Sequence, residues 1–379
     1  MPGTMLDIPT VMRAQVLESF GSPYKFCSVP VPEVGDTNDL LIKVTAASYC
    51  HTDAVLAAGL LAPNSPRSLP HVGCHEFAGV VVAVGTSAAA RRFDIGDRVG
   101  VPGRAYHPCG ECVECTTTDC GGEGDGPGYS AYCRSAFNNG VSRDGGFREY
   151  ATVDARQVAP LPDGLSDVEA APLMCAGLTV SEALRKARLV PGNTVGIMGC
   201  GGGLGHLGLQ FASKMGFKVV VGVDAADGPL ALAKELQTGA MLVDARTTTA
   251  QEVKELLRRQ DVEGLDAVLV LPESPTAFDY GVKLLRNHGT CVVVSFPEEP
   301  FRISGKDLVF RDISVIGSLV GSNKSLRAML DFAVRYHVRA ITKTFPLERL
   351  NELVIEYHKG LGGKLVVHMR EGALPVDGV

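Results

Sequence analysis

The apolar positions change rhythm twice along the chain. Over residues 12–149 they fall in short runs at 13–18, 40–47, 77–85 and 97–101, broken by turns such as Gly96-Asp97 and Gly145-Gly146. Short runs between such breaks predict strands, so this stretch reads as β-rich. Residues 80–84 are almost all apolar, as expected of a strand covered on both faces. From Glu169 to about Ser318 strand-like and helix-like spacing alternate. Strands are predicted at 195–198, 219–223, 241–244, 267–271, 291–296 and 313–317. Helices are predicted at 204–215, 231–237, 250–259 and 277–286. That alternation implies a parallel sheet with right-handed crossovers. Beyond Ser322, helices at 326–336 and 347–359 precede a strand at 364–368, which is expected to return to the first sheet. The expectation is therefore an α/β chain in which 1–168 and 319–379 form a β-rich domain and 169–318 form an inserted doubly wound domain.

One stretch of the inserted part carries specific chemistry. Residues 195–224 read strand, glycine-rich turn, helix, strand, acid. That order predicts a dinucleotide-binding unit, in which glycines let the backbone approach the pyrophosphate and the helix N-terminus faces the anion. Strict G-x-G-x-x-G spacing occurs at Gly203, Gly205 and Gly208, late relative to the strand. Gly199, Gly202, Gly203 and Gly205, with Leu204 among them, are the expected cofactor turn. Asp224, about twenty residues on, is placed to accept from the adenosine ribose hydroxyls. A carboxylate there repels a 2′-phosphate, and Ala225 to Pro229 supply no Lys or Arg to hold one. NAD(H) is therefore expected over NADP(H).

Composition narrows the classes. A net charge of −6 and 45% hydrophobic residues describe an ordinary soluble chain and speak against a nucleic-acid partner. No apolar run approaches the ~18 residues of a membrane span. The first thirteen residues lack the pattern of a signal peptide and read as a loose arm, which points to the cytoplasm. Eleven cysteines in such a chain favour metal over disulfides.

The metal-ligating residues fall into two sets. Cys50, His75 and Cys175 would make a Cys2His set, the donor count of a catalytic zinc with one open position. Glu76 is a candidate for that position. Each residue alone is more simply a small buried thiol or a hydrogen-bonded core histidine. Cys109, Cys112 and Cys115, with Cys133 downstream, have the C-x2-C-x2-C spacing of a closed, structural zinc site. A zinc-finger-like nucleic-acid module there is disfavoured by Glu111, Glu114, Asp119, Glu123 and Asp125.

Several motifs together carry a family resemblance over about 12–369. They are C-H-T-D at Cys50, C-H-E-F-A-G-V-V-V-A-V-G at Cys74, C-x2-C-x2-C at Cys109, D-G-G-F-R-E-Y at Asp144, M-C-A-G-L-T-V at Met174, G-C-G-G-G-L-G-H-L-G at Gly199 and G-S-L-V-G-S at Gly317. The chain resembles the zinc-dependent alcohol dehydrogenases of the medium-chain dehydrogenase/reductase superfamily. The resemblance implies a GroES-like catalytic domain with an inserted Rossmann domain, and two zinc ions and NAD per chain. It implies catalytic zinc on Cys50, His75 and Cys175, with Asp53 orienting His75. Thr52 would carry the alcohol proton, while His51 would sit near the pyrophosphate. Lys364 falls where the family often has a phosphate-binding Arg. The metal would act as a Lewis acid on the alcohol or aldehyde oxygen. Relatives are dimers or tetramers, and the edge strand at 313–317 could pair across a two-fold axis.

The departures from the family also matter. Its G-H-E reads Cys74-His75-Glu76 here. Seventeen residues separate Cys115 from Cys133, with Cys120 between, so either Cys120 or Cys133 could close the second site; the family pattern favours Cys133. The relay His expected five residues after Cys50 is Val55. The chain has no Trp, and Leu56, Ala57 and Ala58 stand near where relatives often wall the pocket. A substrate larger than ethanol is expected. Polyol or natural-product carbonyl chemistry, or a non-catalytic zinc and cofactor binder, are the rival readings.

Overall fold

The computed structural model describes residues 8–61, 68–103, 105–116 and 132–369. Two sheets organise it. The first has six strands, all parallel, in the spatial order Met241–Asp244, Val219–Asp224, Thr194–Met198, Leu265–Val270, Leu285–Val293, Ser314–Gly317. In sequence order that is 3-2-1-4-5-6, the doubly wound arrangement whose cleft opens where the order reverses, beyond Met198 and Val270. Thr194–Met198 is buried throughout, as a parallel strand with helices on both faces must be.

The second sheet is mixed. Asp39–Tyr49 lies at its centre and pairs antiparallel with Phe77–Val84, with Tyr150–Asp154 and with the last strand, Lys364–His368. Strands from both ends of the chain therefore share one sheet, as the pattern at 364–368 led us to expect. Phe77–Val84 differs from expectation in one respect: Val80, Ala83 and Val84 are only half-buried, so the apolar run is not covered on both faces.

The pattern gave no warning of the helix that joins the sheets. Asp167–Pro172 starts on Ser166, whose hydroxyl accepts from the Glu169 N–H while Glu169 reaches back. Leu173–Gly177 follows as a wide π turn, and Leu178–Lys186 continues as α-helix. A core containing Ala46, Ala78, Met174, Leu178, Ile197, Leu207 and Val366 ties the two sheets to each other. Among the described residues no helix is long and apolar enough to cross a membrane.

Candidate active site

Three chain segments bring thiols and an imidazole to one point. Cys50 ends the central strand and caps the helix His51–Ala57. His75 precedes Phe77–Val84, and Cys175 sits in the π turn, a helix distortion often found at functional sites. Their ligand atoms all lie within 4.8 Å of one another. A hydrogen bond between the two sulfurs holds the Cys50 thiol well below its usual range and raises that of Cys175. The pair thus shares a proton that a cation would replace. Asp53, 1% exposed, accepts from the backbone N–H of Cys50 at 2.9 Å and of Cys74 at 3.0 Å. Its Oδ1 lies 3.4 Å from His75 Nδ1, a buried nitrogen without a hydrogen-bond partner. Burial alone would lower the His75 pKa; the Asp53 carboxylate and Cys50 raise it well above the ordinary value. Two thiols, a carboxylate-backed imidazole and a charge-rich pocket fit a zinc ion.

Glu76 and Lys364 have partners that the sequence did not indicate. Glu76, fully buried, is not in that donor cluster. Its carboxylate accepts from Ser48 Oγ at 2.8 Å, from the Ala176 N–H at 3.4 Å and from the Lys364 ammonium. Lys364 is likewise buried, and its Nζ also donates to the Tyr49 carbonyl at 2.8 Å. Its side chain also lines the cavity that holds the glycine turn. The physical reason is common to both: a buried carboxylate without a counter-charge is costly, and each group answers the other. Burial pushes the Glu76 pKa up to about 8 despite that partner.

The glycine turn behaves as its chemistry requires, with one addition. Gly199 has φ +77°, open to glycine at little cost. A Cβ on Gly205 would sit 2.0 Å from the Gly199 carbonyl, and one on Gly201 1.9 Å from the Pro229 carbonyl. Gly201, not among the expected turn residues, is thus as tightly constrained as any; Gly202 and Gly203 have more room. Leu204 caps the helix Gly205–Lys214. Gly208 packs on Val180, so its place in the strict spacing reflects helix packing. Asp224 accepts from the N–H groups of Gly201 at 3.0 Å and Ala225 at 2.8 Å, bracing the turn. Arg246 was not anticipated here: it follows Asp244, the register partner of Asp224, and its guanidinium is held by Asp227 at 2.5 Å and Asp244 at 2.7 Å.

One cavity of about 1070 Å³ is lined by Cys50, His75, Cys175, Thr52, the glycine turn and Asp224 alike. Leu56 is core, and neither it nor Ala57 and Ala58 face this space. Leu61, Gly103, Asn138 and Val141 line it instead. A Cβ on Gly103 would lie 2.6 Å from the His75 ring, so no side chain can grow there without moving a ligand.

The second cluster is near the surface. Cys109, Cys112, Cys115 and Cys133 place their sulfurs within 4.8 Å of one another. Cys109 and Cys133 sulfurs are 3.6 Å apart, too far for a disulfide. Backbone N–H groups of Glu111 and Cys112 draw the Cys109 pKa down to about 6, which favours the thiolate a metal takes. Cys120 lies outside the described residues.

Comparison with known proteins agrees. Residues 36–163 match the alcohol dehydrogenase GroES-like domain family and 203–335 the zinc-binding dehydrogenase family. An alcohol dehydrogenase of Geobacillus stearothermophilus is 36% identical over 357 residues, covering 94% of this chain and 99% of that one. The alcohol dehydrogenase of the archaeon Aeropyrum pernix superposes with TM-score 0.79 at 29% identity, covering 94% and 99%. An NAD-dependent alcohol dehydrogenase does so with TM-score 0.80 at 26% identity, covering 95% and 100%. The chain belongs to the zinc-type medium-chain alcohol dehydrogenases. It is an enzyme, a zinc-dependent oxidoreductase that interconverts an alcohol and an aldehyde or ketone.

Proposed function

We propose that this chain transfers hydride between NAD(H) and an alcohol or carbonyl compound larger than ethanol, using one catalytic and one structural zinc. The observation that carries this reading is the shared cavity: the Cys50, His75 and Cys175 donors and the glycine turn line the same space. Zinc on those three residues would supply Lewis-acid polarisation of the substrate oxygen. The nicotinamide, with its dinucleotide along the glycine turn and Asp224, would supply the hydride site.

The chain's own residues do the rest. Asp53 fixes the Cys50 and Cys74 backbone and stands behind His75, so the ligand ring stays oriented. Thr52 lines the cavity beside Cys50, where its hydroxyl can pass the alcohol proton outward. Val55, in the helix with it, can neither take nor give a proton. Lys364 neutralises Glu76 beneath the site. Asp224 would repel a 2′-phosphate, and Asp227 and Asp244 keep the Arg246 guanidinium occupied. Both favour NAD(H). The absence of Trp and the bare Gly103 wall support a larger substrate.

The division into 1–168 with 319–379, and 169–318, belongs to the same reading. So does a homo-oligomer: Ser314–Gly317 is a sheet edge, and Leu308, Val309 and Phe310 beside it are exposed. Ten free cysteines among the described residues suit the reducing cytoplasm.

The test is aldehyde reduction across a panel from acetaldehyde to cinnamaldehyde, with NADH or NADPH, before and after a zinc chelator. Chelator-sensitive, NADH-dependent turnover that rises with substrate size is the expected result. A preference for NADPH, or turnover confined to acetaldehyde, would overturn the corresponding part.

A further inference from the structure

The cofactor cleft contains a three-residue chain that the reaction does not require. His51 opens the helix His51–Ala57 and its ring lines the cavity. Its Nδ1 lies 2.8 Å from the Tyr357 hydroxyl. Its Nε2 lies 3.2 Å from Oε2 of Glu273. The three residues come from different places: the end of the central strand, the C-terminal end of the helix Leu350–Tyr357, and the loop after Leu265–Val270 in the parallel sheet. The chain therefore spans the mouth of the cleft, from one sheet to the other. Tyr357 is well fixed for this, its ring against that of Tyr49 at 5.0 Å.

The donors decide the tautomer. A phenol hydroxyl donating to Nδ1 leaves the imidazole proton on Nε2. Nε2 is also the ring nitrogen nearest the Glu273 carboxylate, close to it but out of line for a hydrogen bond, and an anion there favours the same tautomer. No charge on the ring is needed. The glycine turn and Asp224 line the same cavity and are built for a dinucleotide, whose diphosphate is the anion such an N–H would meet. Glu273 is itself an anion 3.2 Å from Nε2, so carboxylate and diphosphate repel each other at one donor.

We propose that Tyr357 and Glu273 set cofactor affinity at His51: Tyr357 directs the imidazole N–H into the cleft, and the Glu273 carboxylate beside that nitrogen opposes the cofactor diphosphate. Tyr357 is a positioning residue, and Glu273 an internal competitor. The inference rests on the cofactor reading above. It makes an unusual demand on mutants of two neighbouring residues, because their effects must have opposite signs.

The experiment is NADH binding by the zinc-loaded protein, followed by cofactor fluorescence without substrate. Glu273→Gln removes the charge and keeps the shape; NADH should bind about threefold or more tighter. Tyr357→Phe keeps the ring against Tyr49 and removes the hydroxyl; NADH should bind about threefold or more weaker. On a His51→Ala background Tyr357→Phe should have no effect, which a merely structural role for the ring would not predict. Shifts of the same sign, or no shift in either variant, overturn the inference while leaving the cofactor reading intact. A wild-type protein that does not bind NADH overturns both.

Discussion

The two thiol clusters are built on opposite plans. Cys109, Cys112, Cys115 and Cys133 come from one lobe near the surface, three of them within seven residues. Cys50, His75 and Cys175 come from three separate segments and are brought together only when the central sheet and the joining helix have formed. Four donors close a tetrahedral ion; three leave a position for chemistry. A local, closed cluster can add stability without taking part in the reaction. A dispersed, open cluster reports on the whole fold, and loss of one donor there should stop the reaction without loosening the surface.

The sharpest way to break that contrast is to delete one donor from each. Cys50→Ser should lower kcat/KM by more than ~100-fold, exceeding the cost of losing a residue that only backs a ligand. Steady-state kinetics with zinc counting will show it; retained activity would mean that the dispersed cluster is not the reacting one. Asp53→Asn tests the layer beneath. It should cost about 10–100-fold in activity or metal affinity, since Asp53 contacts His75 and holds the Cys50 backbone. Cys112→Ser should do the reverse of Cys50→Ser. One zinc should be lost and Tm should drop by several degrees, roughly the effect of 1–2 kcal/mol in a domain of this size, with kcat close to wild type.

A change that leaves both clusters alone concerns pH. His206 is buried on the helix Gly205–Lys214, where Nδ1 contacts the Gly202 carbonyl and Nε2 accepts the Ile341 N–H. Burial lowers its pKa to about 4. The folded value is below the ordinary one, so the unfolded chain binds the proton more readily. Stability from this group is intact above about pH 6.5 and is lost as pH falls toward 4, by about 3 kcal/mol in all. Urea unfolding of wild type and His206→Asn across that window should show a steeper decline in the wild type. Equal slopes would refute it.

What the sequence made legible follows from the same contrast. The glycine turn, Met241–Asp244 and Lys364–His368 were readable because local pattern and local chemistry coincide there. Cys50, His75 and Cys175 were readable as metal-binding residue types, but nothing in their spacing says that they meet. The joining helix was not legible, since Pro172 and the glycine at 177 interrupt its pattern and a π turn shifts its period. The pairing of Lys364 with Glu76 was not legible for a related reason: a charged residue in a motif looks exposed, and only the packed fold shows that the two neutralise each other. Arg246, Tyr357 and Glu273 carry no motif at all.

The pairing of Lys364 with Glu76 also bears on the order in which the protein is made. Glu76 is made well before the strand carrying its counter-ion, which lies 288 residues further along the chain. Until that strand docks beside Asp39–Tyr49, the carboxylate under the catalytic cluster has no cation to answer it. The lobe carrying Cys109 to Cys133 has no such dependence on a distant strand, whereas the surroundings of the Cys50, His75 and Cys175 cluster do. Removal of the strand Lys364–His368 should therefore leave Glu76 without its counter-charge and the dispersed cluster without the support beneath it.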